Sequence, residues 1–434
     1  MNSADLHPFG WKTVPLRYVC ELSPSVAFDG LGEDDDLTFL PMDRVKSGYF
    51  IPNADKFSKY GSSYTAFEDG DIVLAKVTPC FENGNIAIAD DLIGGKGFGS
   101  SELFVIRPTA AERRFLFYYF QSLIFKQDGE ASMTGAGGLK RVSPDVLRQH
   151  HLPCPSQDVQ RRIANYLDRE TARIDGLIAE KEKMLALLEE KRAALISRVV
   201  TRGLDPTAPL KPSGQEWLGD IPAHWRLERL KFHLLGLEQG WSPQCDNYPA
   251  EPDDWGVLKV GAVNAWSFNP VENKRLPDEV EPLLEYEIKQ HDVLMSRANT
   301  TQLLGSVVYV NELSSKLLLC DKLYRLSSND DQLDREFLVA FLRASPGRFQ
   351  LEREASGTSG SMQNIGQDTV QNAWIAIPPL DEQKKISGYI SDYRRQTEKM
   401  YVALRRTVDL LTERRAALIT AAVTGQIPLE EMSA

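Results

Sequence analysis

Two kinds of loop recur along the chain with side chains suited to multi-point hydrogen bonding. The first follows a short apolar run that opens on aspartate. In one place Asp71-Ile72-Val73-Leu74 leads into Lys76-Val77-Thr78-Pro79-Cys80-Phe81-Glu82-Asn83-Gly84, and in another Asp292-Val293-Leu294-Met295 leads into Arg297-Ala298-Asn299-Thr300-Thr301-Gln302. The second is rich in small residues: Thr134-Gly135-Ala136-Gly137-Gly138-Leu139-Lys140-Arg141, matched by Ser356-Gly357-Thr358-Ser359-Gly360-Ser361-Met362-Gln363-Asn364. Lys, Arg, Asn and Gln make multi-point contacts with base edges, and small residues let a backbone approach phosphates. On that chemistry the candidate contacts are Lys76, Thr78, Lys140, Arg141, Arg297, Asn299, Thr300, Gln363 and Asn364. The same residue types also build ordinary solvated turns. Their recurrence in equivalent places makes the two readings comparable.

Catalytic patterns are weaker. Pro277-Asp278 followed by Glu287-Ile288-Lys289 superficially matches a metal-dependent nuclease, in which carboxylates hold Mg²⁺ and a lysine assists. The acidic run around it has no counterpart in the first half of the chain. His150-His151 reads as a strand-edge pair rather than a metal site. Cys20, Cys80, Cys154, Cys245 and Cys320 are dispersed, which fits neither a zinc site nor a disulfide framework. Gly95-Lys96-Gly97-Phe98-Gly99 lacks dinucleotide-binding spacing, and no Walker loop or amino-methyltransferase motif is present. The expectation is a non-catalytic chain with no cofactor or metal of its own.

The elements that must position these loops form a duplication. Gly10-Trp11-Lys12 through Leu16 recurs as His224-Trp225-Arg226 through Leu230. Gly84-Asn85-Ile86-Ala87-Ile88 matches Gly305-Ser306-Val307-Val308-Tyr309, and Arg113-Arg114-Phe115-Leu116 matches Arg335-Glu336-Phe337-Leu338. Glu190-Lys191-Arg192-Ala193-Ala194-Leu195-Ile196 returns as Glu413-Arg414-Arg415-Ala416-Ala417-Leu418-Ile419. Such ordered self-similarity marks a structural unit used twice. Divergence concentrates between the anchors, in loops.

Each copy runs into a long charged helix. Steps of four and three from Leu167 give Thr171, Ile174, Ile178, Lys181, Leu185, Leu188, Arg192, Leu195 and Val199. A shift of 223 residues gives Ile390, Arg394, Thr397, Tyr401, Leu404, Val408, Leu411, Arg415, Leu418 and Ala422. Seven of ten are apolar in both stripes, which is a coiled-coil seam. Pro153, Pro155, Pro378 and Pro379 set the helix starts, and Gly203 and Gly425 the left-handed ends. At 45 residues each helix would be about 67 Å long, which suits a spacer. Chain order makes an antiparallel pair natural, with one module at each end and a pseudo-two-fold relation between the halves.

The expected fold class is therefore α+β. Two tandem mixed α/β modules, with helical patterns at 112–126 and 334–352, are separated by two long helices packed as an antiparallel coiled coil. The expected segments are 1–155 and 204–379 for the modules, and 156–203 and 380–428 for the helices. No apolar run approaches the roughly 18 residues needed to span a bilayer, and the N-terminus lacks a secretory pattern, so the expected location is cytoplasmic.

Net charge is −11. Residues 1–156 carry 15 basic against 20 acidic groups and 202–379 carry 17 against 25, while 157–201 and 380–434 each carry 9 against 8. Any nucleic acid must then be held by local clusters, with help from a basic partner.

Ile377-Pro378-Pro379-Leu380-Asp381-Glu382-Gln383-Lys384-Lys385-Ile386 closely resembles the conserved-region motif of Type I restriction–modification specificity subunits. Pro153-Cys154-Pro155-Ser156-Gln157-Asp158-Val159-Gln160-Arg161-Arg162-Ile163 is a degraded twin that departs at Ser156, Asp158 and Val159. The Arg-Ala-Ala-Leu-Ile helix ends, the tryptophan-led module starts and Gly70-Asp71-Ile72-Val73-Leu74 are similar to that family too. The resemblance covers essentially the whole chain. It implies two target-recognition domains, each reading half of a bipartite asymmetric double-stranded DNA target. It also implies helices that fix the spacer and bind two methyltransferase subunits, with restriction–translocase subunits joining for cleavage. S-adenosylmethionine, ATP and Mg²⁺ would belong to those partners. The family's recognition residues vary freely, so the nine candidates rest on the loop chemistry alone. The rival readings are a duplicated protein-binding scaffold on a coiled-coil spacer and the nuclease noted above.

Overall fold

The computed structural model describes residues 10–57, 64–136, 138–313, 315–356 and 362–432. Gly137 and residues 357–361 of the small-residue loops lie outside them. The first copy opens with short strands: β1 Lys12–Pro15, β2 Cys20–Leu22, β3 Asp36–Leu40, β4 Ala54–Lys56, β5 Thr65–Glu68, β6 Ile72–Ala75, β7 Ile86–Ile88, β8 Lys96–Gly99 and β9 Leu103–Pro108. Helices α1 (Arg113–Gln121) and α2 (Leu123–Ala131) follow, then hairpin β10 (Thr134–Ala136) and β11 (Leu139–Arg141), α3 (Pro144–Gln149), β12 (His151–Cys154) and the long α4 (Gln157–Arg202). A linking hairpin, β13 (Leu210–Pro212) and β14 (Asp220–Pro222), precedes the second copy.

That copy contains β15 Arg226–Arg229, β16 Leu234–Gln239, β17 Trp255–Leu258, β18 Asn273–Arg275, β19 Val293–Ser296, β20 Ala298–Asn299, β21 Val307–Tyr309, β22 Lys316–Leu318 and β23 Leu323–Ser328. Then come α5 (Arg335–Arg343), α6 (Ser345–Arg353), β24 (Gln363–Asn364), α7 (Gln367–Asn372), β25 (Trp374–Ile377) and the long α8 (Leu380–Val423). The duplication holds in the principal sheets. An antiparallel sheet ordered β2-β9-β6-β7 answers one ordered β16-β23-β19-β21. A second sheet has a parallel pair at its heart in both copies, β3 with β8 and β17 with β22. The pairs β1–β12 and β15–β25 tie the start of each copy to its end.

The chain divides into two compact units, residues 1–183 with 405–434, and residues 184–404. Each unit takes in part of both long helices. In unit 1, Ile163 and Leu167 of α4 join Ile419, Ala422 and Val423 of α8 in the core with Phe115, Tyr119 and Phe120. In unit 2, Ile196, Val199 and Val200 of α4 meet Ile386 and Ile390 of α8 beside Trp225, Phe337 and Phe341. Burying each such side chain contributes about 1.5–3 kcal/mol. The helix segments run antiparallel within each unit. In unit 1 Arg415 donates to Asp175 at 2.8 Å and Arg162 to the Leu429 carbonyl at 3.0 Å; in unit 2 Arg192 faces Glu398 at 3.4 Å. None of the twenty stripe positions is exposed, so the seam has the period read from sequence. Gly203 and Gly425 cap the helices at φ 72° and 71°, where a Cβ would be strained.

Two sequence expectations need correction. The helical patterns at 112–126 and 334–352 are each two helices. Ser122 (ψ 150°) and Ala344 (ψ 163°) leave the helical region, Ser122 caps α2 through Phe125, and Pro346 at the start of α6 has no amide to continue a helix. His150-His151 is not a strand-edge pair, because only His151 enters a strand. His150 is buried at the end of α3, where its ring meets the Tyr119 hydroxyl at 2.8 Å and the Asp128 carboxylate at 3.0 Å.

A buried glutamine joins each copy's helices to its proline-bounded turn. Gln160 accepts from the Glu112 amide at 2.7 Å and donates to the Pro155 carbonyl at 2.8 Å. Gln383 accepts from the Asp334 amide at 2.8 Å and donates to the Pro378 carbonyl at 2.9 Å. Glu112 and Asp334 are themselves the N-caps of α1 and α5. The degraded motif of the first copy thus keeps the one residue on which this joint depends.

Candidate nucleic-acid interface

The nine sequence candidates fall into two clusters, one in each unit, built on the same backbone. In unit 1, Asp71 fixes the turn before β6. Its carboxylate accepts from the Glu68 amide at 2.9 Å and from Arg107 at 2.7 and 2.8 Å. Strand β6 then delivers Lys76, Val77 and Thr78 to the β10–β11 hairpin, where Val77 bridges Arg141. The Thr78 amide donates to the Lys140 carbonyl at 2.9 Å and the Val142 amide to the Lys76 carbonyl at 2.8 Å.

In unit 2, Asp292 accepts from the Lys289 amide at 2.8 Å and faces Arg325 at 3.4 Å. Strand β19 then delivers Arg297, Ala298 and Asn299 to β24, pairing Ala298 with Asn364 and Asn299 with Gln363. The Ile365 amide donates to the Arg297 carbonyl at 2.8 Å, as Val142 does to Lys76. Position by position, Lys76 corresponds to Arg297, Thr78 to Asn299, Lys140 to Gln363 and Arg141 to Asn364.

One side-chain arrangement is the same in both. The Lys76 ammonium lies 5.6 Å from the Phe104 ring and the Arg297 guanidinium 5.8 Å from the Tyr324 ring, on equivalent strands β9 and β23. A cation held on a ring face keeps its charge while its direction is fixed. Arg297 also donates to the Asp321 carbonyl at 3.3 Å, and its Nε is buried with no acceptor among the described residues.

Other candidates are occupied within the chain. The Thr78 hydroxyl accepts from the Lys140 amide at 2.9 Å and donates to the Gly138 carbonyl at 3.1 Å, locking the hairpin. Asn299 is buried and bonds Asn264 at 2.9 Å and the Thr300 amide at 2.9 Å. Arg141 forks onto Glu102 at 2.8 Å through both Nε and Nη2. That guanidinium holds the Glu102 carboxyl below its ordinary range. Lys140 and Thr300 are exposed, and Gln363 and Asn364 half-buried, with side chains that make no hydrogen bond among the described residues. Of the nine candidates, those four and the two stacked cations keep polar groups not taken up by side-chain pairing among the described residues.

The structure adds members that sequence reasoning missed. Glu102 and Lys322 occupy the same place, since their carbonyls accept from the Lys76 and Arg297 amides. A carboxylate in one unit thus corresponds to a cation in the other. The repeat register was the signal that marked them, because each lies just before the aromatic on which the cation rests. Asp278, from the nuclease-like pattern, is taken up with Asp246 and Asp254 by Arg275, at 2.6, 3.2 and 2.7 Å. Among the described residues no group of three or more His, Cys, Asp or Glu side chains is placed to hold a metal, and no helix is long and apolar enough to cross a membrane.

Comparison with known proteins follows the same architecture. The chain is 27% identical over 464 aligned residues to the Type I restriction enzyme EcoEI specificity subunit of Escherichia coli, covering 89% of this chain and 78% of that one. It is 22% identical to the MjaVIII specificity subunit of Methanocaldococcus jannaschii, covering 94% and 95%. A solved structure concerned with complex assembly and conformational transition of the type I R-M system superposes with a TM-score of 0.71, at 20% identity over 97% of this chain and 99% of that one. That likeness carries the fold. The family model for the Type I restriction modification DNA specificity domain matches residues 8–185 and 261–401, and the chain belongs to that family.

Proposed function

We propose that this chain is the non-catalytic DNA-recognition subunit of a Type I restriction–modification complex. Residues 1–155 and 204–379 each read one half of a bipartite, asymmetric target. Helical segments 156–203 and 380–428 set the spacer and dock two methyltransferase subunits, with restriction subunits joining for cleavage. S-adenosylmethionine, ATP and Mg²⁺ act on the partners.

One observation carries the reading: two clusters with the same backbone and different side chains. A cation on a ring, common to both copies, supplies non-specific phosphate attraction, while Lys140 in one copy and Thr300, Gln363 and Asn364 in the other present different donors and acceptors. A protein-binding scaffold that grips one partner twice has no need of such divergence. Base readout of a site with unlike ends requires it. The net acidity of the chain is met by a basic surface on the methyltransferase.

The test is co-expression with the cognate methyltransferase and genome-wide mapping of methylated adenines. The expected result is a two-part motif with a fixed run of unread bases between unlike halves. A continuous motif, or methylation without any motif, overturns the proposal.

A further inference from the structure

Three cavities of unit 2 meet at one side chain, Trp266. Two guanidinium groups lie over its ring, Arg343 at 5.0 Å and Arg394 at 4.5 Å from the centroid. Arg343 is satisfied by the main-chain carbonyls of Val263, Ala265 and Val307. Arg394 is not. Among the described residues it makes no ion pair, and its Nε is buried with no hydrogen-bond acceptor. Burial, followed by the positive charge of Arg192, pulls its pKa below the ordinary guanidinium value. Burial, Arg394 and Arg348 pull Arg343 down to about 9. Glu398 and Glu336 offset part of that field, but Arg394 has no ion pair of its own among the described residues, and an anion beside a partly buried guanidinium stabilises it.

The cavity beside Arg394 has a volume of about 180 Å³ and is lined by Trp266, Asn311, Glu336 and Ser391 among others. The Ser391 hydroxyl and Asn311 amide make no side-chain hydrogen bond among the described residues. That space admits one small group rather than a nucleotide, and Glu336, the one carboxylate in its lining, disfavours a multiply charged ligand. Unit 1 builds nothing equivalent. Thr171 stands where α8 has Arg394, donating to the Leu167 carbonyl and facing Tyr118, and Gln121 stands where α5 has Arg343.

We propose that this cavity, with Trp266 in its wall, binds a carboxylate group gripped by the Arg394 guanidinium and flanked by Ser391 and Asn311. A guanidinium fork matches a carboxylate geometrically, and a single negative charge offsets the excess without overloading Glu336. The carboxylate comes either from a free small acid or from an acidic side chain of a docked protein.

The test uses the full chain and sodium acetate, titrated at constant ionic strength against chloride, with tryptophan fluorescence and thermal shift as readouts. The expected result is a saturable change with acetate and not with chloride. Arg394→Met should weaken it at least about tenfold, and Arg394→Lys, which keeps the charge but not the fork, should fall between. Trp266→Phe should remove the optical signal and keep the thermal shift. Arg415→Met, at the unit 1 seam, should leave both unchanged. No saturable acetate response, or an undiminished one in an Arg394→Met chain with native circular dichroism, overturns the proposal. Acetate that competes with assembly of the methyltransferase complex assigns the carboxylate to the partner; acetate that binds without affecting assembly assigns it to a free acid. Failure of the wild-type chain to assemble with the methyltransferase would sink the functional reading while leaving the acetate result standing.

Discussion

Unit 1 and unit 2 share a backbone plan and differ in how each polar position is satisfied. At the turn before the candidate loop, Asp71 is 1% exposed and answers Arg107 with a two-point ion pair, whereas Asp292 shares Arg325 with Glu238. At the loop itself, Arg141 is tied to Glu102, whereas Asn364 and Lys322 stand in their places. At the helix seam, Tyr118, Asp168 and Arg114 form a closed network in unit 1, at 2.8 and 2.5 Å, while unit 2 opens a cavity around Trp266 and Arg394. The lesson is that apolar burial and a few main-chain joints define the unit. Its polar groups are free to diverge, each copy pairing most of its own in its own way.

That comparison can be broken at several points. The largest effect on stability is expected from Asp71→Ala, which leaves Arg107 half-buried with only Glu68 for company. A loss of about 3 kcal/mol is expected, against about 1 kcal/mol for Asp292→Ala, read by denaturant unfolding. Equal losses would show that the two turns are energetically alike. Gln160→Ala and Gln383→Ala should each cost about 2 kcal/mol, because each orphans a buried amide and a buried carbonyl. A much smaller loss for Gln160→Ala would mean that the first copy's degraded motif has also lost its joint.

A smaller effect is expected at the loop tip. Lys140→Ala should weaken DNA binding by the assembled methyltransferase complex and reduce the slope of log affinity against log salt by about one, without altering the methylated motif. Gln363→Ala, its counterpart, should leave the salt slope unchanged and relax the motif in one half. The smallest effect concerns pH. Burial pulls the His150 pKa below 6.5, only partly offset by Asp128, so the unfolded chain takes up this proton first. Stability should therefore fall as pH drops below about 6.5 and level off beneath the depressed folded value. Melting curves of His150→Gln should lack that component.

Much of this was legible in the sequence, for identifiable reasons. The helix stripes, the proline starts and the glycine ends are local signals, and all appear where their periodicity and backbone preferences put them. The duplication located both loop clusters, since equivalent residues must lie at equivalent places. What escaped was long-range. Thr78 and Asn299 look like contact residues until the strand register shows their side chains holding the loop. Glu102 is invisible as a partner until β9 is laid beside β6. The breaks at Ser122 and Ala344 are a matter of one backbone dihedral each, which apolar periodicity does not report. Trp266 lies on the connection between β17 and β18, whose counterpart between β3 and β4 carries no tryptophan, so the repeat gave no signal for it.

The central claim is that each unit reads its own half of the target. Replacing residues 1–155 with the corresponding segment of another family member, co-expressed with the methyltransferase and read by methylated-adenine mapping, tests it most directly. The account predicts that one half of the motif changes, while the other half and the spacing between them persist. A motif that changes in both halves, or in neither, would contradict it.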